Sequence, residues 1–148
     1  MLEPLVPRLE GKTFHWPVRI YYEDTDLGGV VYHANYLRYM ERARTEYFRA
    51  IGLAAAYPDD PEPTFWALRK ASLEYIRPAK FNDLLDVRTR VVGLSGARLD
   101  ADQEIWCGDV QLTDGHVQAC IISLSGKPKR VPAAVRDKIL PFLVETVG

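Results

Sequence analysis

The residues best able to do chemistry lie in one stretch: Tyr21-Tyr22-Glu23-Asp24-Thr25-Asp26-Leu27-Gly28-Gly29-Val30-Val31-Tyr32-His33-Ala34-Asn35-Tyr36. It brings together three carboxylates, two adjacent glycines, a histidine and an asparagine. A carboxylate in such a loop can attack a carbonyl carbon or activate water beside it. Paired glycines let the backbone turn tightly and let a substrate come close to it. A helix starting just after the loop presents free N–H groups and partial positive charge, which suit a developing oxyanion. Asp24, Thr25 and Asp26 also have an ordinary structural use as loop and capping residues. A second chemical reading is a divalent metal held by Glu23, Asp24, Asp26 and His33. It is the weaker one, because Asp24 and Asp26 lack EF-hand spacing and no second ligand cluster follows.

Other motifs fail on inspection. Gly11-Lys12-Thr13 ends like a phosphate-binding loop, but Val6 stands where the first glycine belongs. Gly93-Leu94-Ser95-Gly96 is one residue short of a nucleophile elbow. Cys107 and Cys120 have no CxxC partner and read as small core side chains. With only three histidines, His15, His33 and His116, a multi-histidine metal centre is poorly supplied.

The elements that must position the loop follow from hydrophobic periodicity. Val18, Ile20 and Tyr22 alternate with Arg19 and Tyr21, so Trp16 to Tyr22 reads as a strand. From about Ala34, apolar residues at Leu37, Met40, Ala43, Tyr47, Phe48 and Ile51 have helical spacing, and Gly52 stands as the stop. Pro58-Asp59-Asp60-Pro61-Glu62-Pro63 is a loop. Period-two segments follow at Thr64 to Ile76, around Leu85 to Val91, at Ala97 to Cys107 and at Gln111 to Leu124. Gly108-Asp109 is the better turn between the last two, which leaves Asp114-Gly115 as a bulge. Ala133 to Leu140 reads as a short C-terminal helix, disturbed at Pro141. One strand, one long helix and four more strands with short connections predict an α+β fold with antiparallel pairing.

Composition narrows the classes. The chain has 148 residues, 47% hydrophobic and 26% charged, with a formal net charge of −1. It therefore reads as a single domain, 1–148, with 133–148 as a C-terminal helix and tail. The charge balance gives no footprint for nucleic acid or a membrane surface. No apolar run reaches the roughly 18 residues of a membrane-spanning helix. The first ten residues lack the apolar core of a signal peptide, so the expected location is cytoplasmic.

The loop sequence, running on into Met40-Glu41-Arg42-Ala43-Arg44-Thr45-Glu46, closely resembles the YbgC-like acyl-CoA thioesterases of the 4-hydroxybenzoyl-CoA thioesterase family. Arg69 to Tyr75 with Pro78, Ala79 and Asp83, and Lys127 to Pro132, resemble two further blocks of that family, and the match leaves 1–13 outside it as an N-terminal extension. The resemblance implies a hotdog fold, a five-stranded antiparallel sheet wrapped around one long central helix. It implies homodimers joined sheet edge to sheet edge, often paired into tetramers. It further implies that Asp26 is the catalytic carboxylate, with Tyr22 and His33 at active-site positions and the His33 N–H polarising the thioester carbonyl. The substrate would be an acyl-CoA, or an acyl group on acyl carrier protein. No cofactor is implied, since coenzyme A belongs to the substrate. Lys127, Lys129 and Arg130, and separately Arg69 and Lys70, are candidate partners for its phosphates, although single surface charges are usually only solvated. A different class, a non-catalytic acyl-binding hotdog protein tied to lipid metabolism or the Tol–Pal system, is disfavoured by the intact Asp26 constellation. A hotdog hydratase is disfavoured too, because its acid–base pair would sit on the helix.

Overall fold

The computed structural model describes residues 5–53 and 63–144. Most of the proline-rich loop and the extreme termini lie outside these residues. The elements run β1 (Arg8–Glu10), β2 (Thr13–Arg19), α1 (Asn35–Ala50), β3 (Thr64–Tyr75), β4 (Leu84–Ser95), β5 (Arg98–Cys107), β6 (Val110–Ser123) and α2 (Ala133–Ile139). All six strands form one sheet in the order β1-β2-β4-β5-β6-β3, and every neighbouring pair is antiparallel.

The sheet has six strands where five were expected. The extra one, β1, lies in the supposed extension, where Arg8, Leu9 and Glu10 pair with His15, Phe14 and Thr13 across a turn at Gly11. A strand of three residues is too short to show alternation in the sequence. The first expected strand is displaced as well: β2 ends at Arg19, because the Ile20 N–H leaves the ladder for the Asp83 carbonyl (2.9 Å). The turn at Gly108-Asp109 lies where expected, between β5 and β6. The bulge falls at Leu112, not at Asp114-Gly115, since Ile105 pairs with Thr113 and Trp106 with Gln111.

The long helix has the expected place and ending. Gly52 takes φ +88, and the Leu53 N–H closes on the Phe48 carbonyl at 2.7 Å. Tyr36, Tyr39, Met40, Ala43 and Tyr47 form its buried stripe, whereas Leu37 is exposed. That stripe packs on inward-facing Leu85, Val87, Val91, Ala101, Ile105 and Val117 in a single core. One polar link crosses the same interface. Fully buried Gln103 donates to the Met40 carbonyl and to Thr89 Oγ1, both at 2.9 Å, and accepts from the Arg44 guanidinium at 2.8 Å. Buried polar groups satisfied in this way fix one registry of helix on sheet.

The outer face of the sheet is a grid of charges that mostly satisfy one another. Arg90 meets Glu104 at 2.7 Å, and Asp86 lies between His15 and Arg88 at 2.8 and 3.0 Å. His116 sits beside Asp102, whose hydrogen bond, with help from Asp100, raises the imidazole pKa above its ordinary value. Among the described residues no helix is long and apolar enough to cross a membrane.

Candidate active site

The chemical loop is built from two local devices. After β2 the chain winds through a 3₁₀ turn at Tyr22–Asp24, closed by the Tyr21 N–H on Asp24 Oδ2 (2.8 Å) and the Thr25 N–H on the Tyr22 carbonyl (3.1 Å). A small hairpin follows, with Thr25 bridged to Val31 and the Asp26 N–H donating to the Val30 carbonyl at 2.9 Å. The Gly29 N–H returns to the Asp26 carbonyl at 3.0 Å, and Gly29 takes φ +78. This is a three-residue hairpin loop that ends in a left-handed position, which is why glycine stands there. Asp26 Oδ1 accepts the Gly28 N–H at 2.8 Å.

The hairpin feeds directly into α1. The Asp24 carbonyl accepts the Tyr32 N–H (2.9 Å) and the Asn35 amide (3.0 Å), and the Val31 N–H donates to the Ala79 carbonyl (2.9 Å). The N-cap of α1 is Ala34, which has no side chain able to accept the helix's first N–H groups. The N–H groups of His33 and Ala34 make no hydrogen bond to a described residue. An uncapped helix start with free donors is a ready site for negative charge.

The expected site residues occupy this loop and its flanks. Asp26 is at the hairpin tip, and Tyr22 lies in the 3₁₀ turn with 81% of its surface exposed. The His33 ring lies 4.5 Å from that of Tyr32, just ahead of the helix. All three are open to solvent in a single chain. A cavity of about 820 Å³ lies elsewhere, between the N-terminal segment and Asp83, Asp86, Arg88 and Cys107. Glu23, Asp24, Asp26 and His33 form no metal-holding group, and none occurs among the described residues.

Residues to which the motif reading gave no role stand behind the loop. Tyr36, in the first turn of α1, is buried, and its hydroxyl accepts the Ala79 N–H at 3.0 Å. Burial raises its pKa, the Ala79 hydrogen bond works against the rise, and the nearby Tyr75, Asp83 and Asp26 add to it. Tyr75 closes the group with a hydrogen bond to the His33 carbonyl. In the sequence Tyr36 only closes the chemical stretch and Tyr75 reads as a strand residue, so only the loop-to-strand contacts disclose their roles.

Comparison with known proteins agrees with this architecture. The thioesterase superfamily model matches residues 28–113. The acyl-CoA thioester hydrolase YbgC of Escherichia coli O6:H1 is 38% identical over 129 residues, covering 82% of this chain and 92% of its own. The acyl-CoA thioesterase YbgC of Haemophilus influenzae is 37% identical over 124 residues, covering 83% and 91%. In structure, a probable thioesterase from Bartonella henselae superposes with a TM-score of 0.76 at 37% identity, covering 81% of this chain and 98% of that one. The six-stranded sheet around α1 is thus a hotdog fold, the class of a thioester hydrolase. The chain belongs to the thioesterase superfamily, in its YbgC-like branch.

Proposed function

We propose that this protein hydrolyses acyl-CoA thioesters to the free acid and coenzyme A, with Asp26 as the reacting carboxylate. The observation that carries the reading is the uncapped start of α1, where the N–H groups of His33 and Ala34 bond to no described residue, directly after the hairpin that presents Asp26. The YbgC relatives, named as acyl-CoA thioester hydrolases, supply the substrate class.

The site needs no triad. The leaving thiol has a pKa of about 8.5, so it departs as a thiolate without a proton donor. On one route an Asp26 oxygen adds to the thioester carbon, the C–S bond breaks, and water then cleaves the mixed anhydride. On the other, Asp26 takes a proton from water, whose oxygen adds to that carbon as the thiolate leaves. Both routes put negative charge on the carbonyl oxygen, where the His33 N–H receives it. Tyr22 positions the carboxylate or the water, and the His33 ring orients water or substrate. Coenzyme A is part of the substrate, and the scheme uses no cofactor. An acyl group on acyl carrier protein would present the same thioester.

This chemistry predicts selectivity. An alkoxide is a far poorer leaving group than a thiolate, so oxygen esters with the same acyl groups should turn over at least about a hundredfold more slowly, a barrier of roughly 3 kcal/mol. Thiol release and acid release from matched thioester and ester pairs measure it. Equal rates would mean that a proton donor is present and the scheme is wrong. Binding of acyl-CoA without any turnover would favour a non-catalytic acyl-binding protein.

The assembly belongs to the same proposal: two copies join through β3. This strand forms an open sheet edge and leaves Phe65, Leu68 and Tyr75 exposed, with Ile76 next to it. A long edge of that kind is a template for pairing unless it is covered. Light scattering should give at least twice the 16.8 kDa of one chain. A mass that remains that of one chain would overturn the pairing.

A further inference from the structure

The Tyr75 hydroxyl, at the last position of β3, donates to the backbone carbonyl of His33 at 2.8 Å. The bond ties the sheet edge to the peptide just ahead of α1, and its sheet end is firmly held. Tyr75 pairs with Thr113, and the next two N–H groups, of Ile76 and Arg77, both converge on the Leu112 carbonyl at 2.8 and 3.1 Å. Leu112 is the bulged residue of β6, so the bulge serves to anchor this strand end. The Tyr75 ring meets the Tyr36 ring edge-on, with centroids 5.5 Å apart.

The other end is held by little else. Val31 and Tyr32 are fixed through their N–H groups, and α1 begins at Asn35. Between them, the His33 carbonyl is the one backbone group of His33 bonded to a described residue. A peptide unit is planar, so a carbonyl aimed at β3 forces the Ala34 N–H in the same unit to point away from β3. Fixing that plane also restricts the rotation of the adjoining plane, which carries the His33 N–H.

We propose that Tyr75 is a positioning residue for the reaction. Through its hydroxyl it sets the peptide planes on either side of His33, and so aims the His33 N–H that receives the oxyanion. The inference rests on the thioesterase reading of the same loop. Removing an oxyanion donor outright costs about 10²–10³ in kcat, and loosening one donor's aim costs a part of that, about tenfold.

The test is Tyr75→Phe, which keeps the ring against Tyr36 and removes only the hydroxyl. The expected result is a kcat lower by about tenfold with KM unchanged within about twofold, the pattern of an interaction made in the transition state. The denaturation midpoint should hardly move, because the freed carbonyl can take a water in place of the phenol. Nitrogen-15 relaxation should show added motion at the His33 and Ala34 amides and none at Val117 in the core. An unchanged kcat overturns the proposal, as does a joint change of kcat, KM and midpoint, which would mark a merely structural bond. The relaxation measurement stands apart from activity. If the wild type turned over no thioester, the thioesterase reading would fail, and unchanged amide motion would separately refute the positioning role.

Discussion

Gly115→Val should destabilise the protein by about 3 kcal/mol, at the upper end of overpacking effects, or prevent stable folding altogether. Gly115 lies in β6 on the face that receives α1. A Cβ there would stand 2.8 Å from Met40 Cε, 2.9 Å from the Gln103 backbone oxygen and 3.2 Å from Leu73 Cδ1. The two side-chain ends can swing aside, but the Gln103 carbonyl belongs to the neighbouring strand of the ladder and cannot. The remaining relief is to lift α1 from the sheet, against the bonds that join Gln103 to Met40, Thr89 and Arg44. Gly115→Ala should show a smaller loss, about 1–2 kcal/mol. Urea denaturation of the three proteins measures the series, and a valine variant as stable as the wild type would refute this account of the close packing.

That glycine also shows how far the sequence could be read. A glycine within a strand marks either a bulge or a close backbone approach. The sequence reads Asp114-Gly115 as the first, and the structure shows the second, because only the position of α1 over β6 distinguishes them. The helix itself was legible from its stripe and from Gly52. Four of the strands are legible from a period of two, as Leu85, Val87 and Val91 against Arg88 and Arg90 illustrate. The strand β1 was not, since three residues carry no period. Leu37 was placed in the stripe by spacing alone, yet it faces outward near the exposed loop.

For the site, the stretch from Tyr21 to Tyr36 announced itself through its residue types. The free donors at His33 and Ala34 could not be read there, because an uncapped helix start is a property of backbone geometry. Tyr75 and Ala79 reach the loop from later segments, and no spacing rule connects them to it. Tyr22, Asp26 and His33 are each exposed in a single chain.

Asp26→Asn should lower kcat by about 10²–10⁴, the range contributed by a positioned acid–base group, and by more if the carboxylate is the nucleophile. The substitution is nearly isosteric. The Asn carbonyl oxygen can still accept the Gly28 N–H that Asp26 Oδ1 accepts at 2.8 Å, so the hairpin keeps its shape. What is lost is the negative oxygen that attacks carbon or takes a proton from water. Stability and acyl-CoA binding should be nearly unaffected, because Asp26 is exposed and anchors nothing beyond its own turn.

The most direct measurement is thiol release from a panel of acyl-CoAs, acetyl to palmitoyl with benzoyl types, by the wild type and Asp26→Asn in parallel. The account predicts clear turnover of at least one thioester by the wild type and a fall of two or more orders of magnitude in the variant. Equal turnover by the two folded proteins would contradict it and move the catalytic carboxylate elsewhere.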